Sequence, residues 1–206
     1  MSAKNPTRPA GPLALEPGDV RRYRDALFRI HATAGAHPSR WDELREFGPL
    51  SLMRWDPQPL PQGIHAGRGV AYTGTDVTTA FAEVFQSRRT IRLTAGRTLS
   101  GWLPSRELEL LDLTGLWPVR QGASGSLHAA AKSTCRTWAA AIHDQLGDRI
   151  DGLHVLSTMT SRPMVVLFDR AADAFPAAPE LSRPLAHAAV QMLAVDAADS
   201  LGWPVI

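Results

Sequence analysis

The sequence predicts one α+β domain, with mixed and antiparallel strands flanked by helices. Three observations predict it. A chain of 206 residues suits one domain with one core. An apolar fraction of 44% is ordinary for a packed globular protein. Runs with strand-like and helix-like periodicity follow one another in mixed order, neither segregated nor strictly alternating, and no GxGxxG follows a first strand as in a doubly wound nucleotide-binding sheet.

The elements read as follows. Residues 1–17 hold Pro6, Pro9, Gly11, Pro12 and Pro17 and predict a loose arm, leaving 18–206 as the domain. Asp25–Ala32 alternates as a strand, placing Arg29 on the face opposite Phe28 and Ile30. Ser39–Phe47 reads as a short helix capped by Ser39, with Glu43 folding back. Pro49–Gly69, rich in Pro and Gly, is a long irregular segment, and such segments tend to be functional. Gly69–Thr73 is a short strand. Thr75 or Asp76 caps a helix running to Gln86, with Ala80, Phe81, Val84 and Phe85 on its apolar stripe. Ile91–Trp102 and Leu108–Leu113 read as strands, and Leu127–Leu146 as a helix ending at Gly147. Leu153–Leu156 and Met164–Phe168 are strands around a polar turn, and Leu185–Leu201 is a last helix closed by Gly202. That helix suits either the core or a homodimer face.

Composition removes several function classes. The formal charge is +2, and the arginines are scattered rather than clustered, so direct nucleic-acid binding is disfavoured despite a pI of 9.1. No run approaches the roughly 18 apolar residues that span a bilayer. Met1 to Pro17 lacks the charged-then-apolar order of a signal peptide, so the expected location is the cytoplasm. The single Cys135 has no internal disulfide partner and reads as a small buried core residue. The seven histidines make no HxH or HExxH pattern, so no metal is expected. GxxxxGK[ST] and GxSxG are absent.

Five residues remain as candidates for chemistry, each with an ordinary explanation beside it. Arg29, in Phe28-Arg29-Ile30, is either an edge arginine reaching water or a fork that grips a phosphate. Arg54, in Met53-Arg54-Trp55-Asp56-Pro57, is either half of a surface pair with Asp56 or a second phosphate or ribose ligand. Glu83 sits mid-helix among Ala80, Phe81, Ala82, Val84 and Phe85, where a carboxylate is costly unless it is paired or faces a wet pocket. Tyr72 is a core aromatic or a ring that stacks on a flat base. Ser157, taken alone, is a turn residue.

Jointly, these stretches resemble a known family. Phe28-Arg29-Ile30, Arg54-Trp55-Asp56-Pro57, Tyr72-Thr73-Gly74-Thr75 running into Ala80-Phe81-Ala82-Glu83-Val84, and Asp151-Gly152-Leu153 to Ser157 look like the RES domain, over about residues 25–170. The ending Leu201-Gly202-Trp203-Pro204-Val205 is also similar. The resemblance implies an ADP-ribosyltransferase-like fold and the toxin half of a toxin–antitoxin pair, partnered by an Xre-like antitoxin. It implies NAD+ as substrate rather than cofactor, degraded with inorganic phosphate or water as acceptor. On this carry-over Glu83, Arg29 and Ser157 are catalytic, and Arg29, Arg54, Tyr72 and Ser157 bind substrate. Met53 departs from the glycine that many members have before the second arginine, which puts the shape of the phosphate loop in question. The alternatives are a protein ADP-ribosyltransferase on the same site and a degenerate, non-catalytic binding protein.

Overall fold

Where apolar residues alternate, the backbone is extended and its two faces are covered by different layers. The computed structural model describes residues 4–206. In chain order the elements are β1 (Val20–Tyr23), β2 (Leu27–Ala32), β3 (Phe47–Gly48), β4 (Gly63–Ile64), β5 (Val70–Gly74), α1 (Val77–Phe85), β6 (Arg97–Trp102), β7 (Leu108–Asp112), α2 (Trp117–Arg120), α3 (Lys132–Leu146), β8 (Gly152–Leu156), β9 (Pro163–Phe168), β10 (Leu181–Pro184) and α4 (Ala188–Leu201).

Eight strands form one mixed sheet in the order β1-β7-β8-β9-β5-β2-β6-β10, and β3 and β4 form a small hairpin apart from it. All neighbours in the large sheet run antiparallel except β7 and β8. One face of β5, β8 and β9 (Val70, Leu153, Val155, Val166) packs against α3 through Trp138, Ala139 and Ile142. The opposite face (Ala71, Val165, Leu167) meets Leu27, Trp102 and Leu108. A third cluster joins Ile30 and Leu99 to Phe81 of α1 and to Val190, Ala194, Ala197 and Ala198 of α4. The stripe of α4 thus seals the core, while Met192 and Val195 on the same helix stay exposed.

The sheet is nearly split at its middle. β2 and β5 pair at one position only, Phe28 with Gly74. At their far ends residues 39–45 run between them: the Ser39 amide donates to the Ala32 carbonyl, and Arg45 pairs with Val70. Gly74 is required at the junction, because a Cβ there would lie 2.8 Å from the Ala80 amide nitrogen and the Asp76 carbonyl oxygen.

Several expectations are corrected. Ser39–Phe47 is not a helix, because its backbone groups are used by β2, Val70 and the Arg29 side chain. Glu43 does turn back, but its carboxylate accepts from the Arg40 amide. The expected helix from Leu127 is broken. Leu127–Ala129 is a 3₁₀ turn, Ala130 and Ala131 are extended, and α3 starts at Lys132 and ends at Gly147 as expected. The strand read from Ile91 begins at Arg97, leaving Ile91 in a lone bridge to Val205. The last helix begins at Ala188 behind the His187 cap, and Gly202 closes it in the left-handed conformation.

The N-terminal arm, expected to be loose, is tied to the core over its described part. Trp138 Nε1 donates to the Pro6 carbonyl, Trp117 Nε1 donates to the Ala14 carbonyl, and Leu13 and Leu15 pack on the α3 cluster.

Candidate active site

The five candidates fall into two groups on this frame. The first is a direct contact. The Ser157 hydroxyl donates to Glu83 Oε1 at 2.6 Å. It accepts from the Met159 and Thr160 amides at 3.0 and 3.1 Å, so its proton is committed to the carboxylate. Ser157 is 1% exposed and extends the β8–β9 ladder, its amide donating to the Arg162 carbonyl. Glu83 reaches it from α1, which Asp76 caps by accepting from the Thr79 amide. The other carboxylate oxygen, Oε2, accepts from Gln86 Nε2 at 3.2 Å.

The second group centres on Asp56, which sequence reasoning did not single out. Asp56 is fully buried. Its Oδ1 accepts from the Tyr72 hydroxyl at 2.8 Å and from Arg45 Nη2 at 2.6 Å, and its Oδ2 accepts from the Leu50 amide at 2.7 Å. The Tyr72 hydroxyl also accepts from the Trp55 amide at 2.9 Å. Burial first, and the Asp56 charge next, push the Tyr72 hydroxyl pKa well above its ordinary value, so the phenol stays protonated. Of the two readings of Arg54, the surface pair with Asp56 does not form: the partner of Asp56 is Arg45. The signal available in the sequence was Asp56-Pro57 inside a Pro- and Gly-rich loop, where a short acidic side chain often fixes the backbone.

Arg54 follows from this locked loop. Its Nη1 donates to the Ala130 carbonyl and lies 3.6 Å from Cys135 Sγ. The extended Ala130 that breaks the expected helix is therefore the residue that anchors Arg54. Burial pushes the Cys135 thiol pKa up against the opposing pull of Arg54, which keeps it neutral in the core. Met53 is 36% exposed, and its carbonyl accepts from Arg136 Nη1 at 2.9 Å.

Arg29 lies on the face of β2 away from Phe28 and Ile30, as the alternation predicts, and points into residues 39–45. Its Nη1 donates to the Trp41 and Glu43 carbonyls at 3.0 and 2.7 Å. Burial lowers its pKa to about 10, with Glu43 opposing the shift and Arg45 adding to it. Arg29 therefore remains a cation at neutral pH.

Tyr72 and Ser157 share one face of the sheet, whereas the pairing of Phe28 with Gly74 puts Arg29 on the other, its guanidinium reaching the segment 39–45 that runs between β2 and β5. Tyr72 pairs with Val166, and Val166 with Leu153, so the three are level and point the same way. Ser157 lies four residues beyond Leu153 on that face, about 13 Å along and about 10 Å across from Tyr72, or on the order of 16 Å overall. The pairing thus joins Glu83 with Ser157, and Tyr72 with Arg54 through Trp55. Arg29 belongs with the second group through the segment that carries Arg45.

The charges are complementary and held apart. Among the described residues Arg29, Arg54 and Glu83 make no ion pair, although twelve contacts between other arginines and carboxylates exist. A partly buried charge without a counter-charge is costly unless something else supplies one. No group of three or more His, Cys, Asp or Glu is placed to hold a metal among those residues, and no helix is long and apolar enough to cross a membrane.

The molecule is an α+β domain whose nearly split mixed sheet holds a helix-borne carboxylate on one side and two guanidiniums on the other. The chain belongs to the RES domain family, whose pattern matches residues 21–189, from β1 to the first turn of α4. No curated protein matches the sequence. Among solved structures, a chain of the M. tuberculosis MbcT–MbcA toxin–antitoxin complex is similar in fold. The match has 18% identity and a TM-score of 0.57, and covers 85% of this chain and 92% of that one.

Proposed function

We propose that this RES domain protein is a toxin that binds NAD+ across the two groups and breaks its nicotinamide–ribose bond. The observation that carries the reading is the separation of unpaired charge. NAD+ carries the complementary charges, an anionic pyrophosphate at its centre and a cationic nicotinamide riboside at one end. Arg29 and Arg54 take the pyrophosphate, and Glu83 faces the ribose. Tyr72, whose hydroxyl is committed to Asp56 and Trp55, offers only its ring for stacking.

The glycosidic C–N bond breaks and nicotinamide leaves as a neutral molecule, taking the bonding pair. Positive charge then develops on the ribose as an oxocarbenium ion. Glu83, oriented by Ser157, stabilises it electrostatically, as carboxylates do in glycoside hydrolysis. Phosphate then adds to the anomeric carbon, giving ADP-ribose 1″-phosphate. Water gives ADP-ribose and a proton instead. The partner is an antitoxin, a reading supported by the toxin–antitoxin complex with a similar fold, and its Xre-like type rests on the resemblance alone.

Mass analysis of the product formed from NAD+ with and without inorganic phosphate tests the reaction. A sugar phosphate formed only with phosphate identifies phosphorolysis, and free ADP-ribose identifies hydrolysis. ADP-ribose attached to protein would identify a transferase using the same groups. NAD+ recovered intact from folded, antitoxin-free protein would overturn the proposal.

A further inference from the structure

At the C-terminal end of α1, lined by Val84 and Phe85 but by neither Glu83 nor Ser157, lies a cleft of about 420 Å³. Three guanidiniums line it: Arg88 from the turn after α1, Arg92 from the segment before β6, and Arg97 from the first position of β6. Among the described residues none of the three makes an ion pair, and none donates a side-chain hydrogen bond to the protein. One free arginine on a surface means little. Three from the α1–β6 connection and the first position of β6, lining one concavity, leave a set of forked donors without protein partners around a common space. Thr90 and Thr94 add hydroxyls to the same wall.

The floor is aromatic. Phe85 is only partly buried and lines the cleft, and the Arg97 guanidinium sits 5.9 Å from the centre of its ring. Phe85 stacks on Phe81 and carries the Arg97 guanidinium, so a flat ring that enters would stack on the Arg97 plane that Phe85 supports, while its anionic end meets Arg88 and Arg92. A cleft of this volume is open to solvent and matches a small molecule in size.

From this geometry we infer a second ligand site, distinct from the NAD+ site, that takes a nucleoside phosphate: a phosphate-bearing molecule with one flat ring. It shares no residue with Arg29, Arg54, Tyr72, Glu83 or Ser157, and it does not depend on the reading given for them.

The test uses the full chain and ADP as probe, followed by calorimetry. Wild type is compared with Arg88→Gln/Arg92→Gln, Phe85→Leu and Arg54→Gln. The expected result is an ADP site that weakens at least tenfold in the double variant and severalfold in Phe85→Leu, and that survives in Arg54→Gln. Both cleft arginines are exposed, so the double variant is expected to melt like wild type, and its nicotinamide release without ADP should be unchanged. ADP binding abolished by Arg54→Gln but untouched by the double variant would overturn the assignment. So would pyrophosphate binding as tightly as ADP, or an acidic peptide binding where ADP does not. Failure of the NAD+ reading would appear separately, as absent nicotinamide release with cleft binding intact.

Discussion

The Tyr72 hydroxyl donates to Asp56 Oδ1 at 2.8 Å while accepting the Trp55 amide at 2.9 Å, so one phenol pins the loop that presents Arg54. Asp56 is the stronger member of the pair, since it also holds Arg45 and the Leu50 amide. Tyr72→Phe should cost about 1–3 kcal/mol in stability, the penalty for leaving buried polar groups unpaired. Asp56→Ala should cost more, about 3–5 kcal/mol, because a buried ion pair loses one member. Urea denaturation of both variants checks the order; equal losses, or a costlier Tyr72→Phe, would contradict it.

Glu83→Gln and Ser157→Ala should separate chemistry from support. The first removes a charge and keeps the shape, so nicotinamide release should fall about 10²–10³-fold with little change in melting temperature. The second strips the Met159 and Thr160 amides of their acceptor and should destabilise the chain by about 1–3 kcal/mol, with a smaller loss of turnover. A Ser157→Ala protein with unchanged stability would show that this turn is held by other contacts.

Arg29→Lys should weaken NAD+ binding about tenfold or more. A point charge cannot keep the Trp41 and Glu43 carbonyls and also grip a phosphate, and one charge-assisted bond is worth roughly 1.5–3 kcal/mol. Titration with NAD+ under non-turnover conditions reads this directly. Unchanged affinity would remove Arg29 from the phosphate site.

Acid should weaken the fold partly through His31. Its ring nitrogens contact the Ser39 carbonyl at 2.8 Å and the Ser100 hydroxyl at 3.1 Å, and burial lowers its pKa, with the Ser39 carbonyl opposing. In the folded state it therefore binds a proton less readily than in the unfolded chain. Stability is thus full above the unfolded value of about 6.5 and declines as pH falls below it. The stability gap between wild type and His31→Gln should therefore shrink from pH 7.5 to pH 5. A gap that stays constant would mean that His31 does not titrate differently on folding.

The sequence made legible the parts governed by local rules. Alternation put Arg29 opposite Phe28 and Ile30, and a cap at Thr75 or Asp76, which the fold places on Asp76, and the stripe through Phe81 located the helix of Glu83. What it hid depends on partners distant in the chain. Residues 39–45 have a helix-like pattern, yet the gap between β2 and β5 claims their carbonyls. Arg45 and Asp56 lie eleven residues apart, and neither is unusual until the fold joins them. The edge strands β1 and β10, VRRY and LSRP, carry too few apolar residues to announce themselves. The prolines of the arm suggest freedom, whereas over its described part indole donors from Trp117 and Trp138 hold two of its carbonyls.

The most direct test of the central claim is nicotinamide release from NAD+ by wild type and Glu83→Gln protein, assayed side by side at matched folded concentration. Rapid release by wild type, reduced about 10²–10³-fold in the variant, is the predicted result. Equal release by the two proteins would contradict the role given to Glu83, and none from either would contradict the proposed reaction itself.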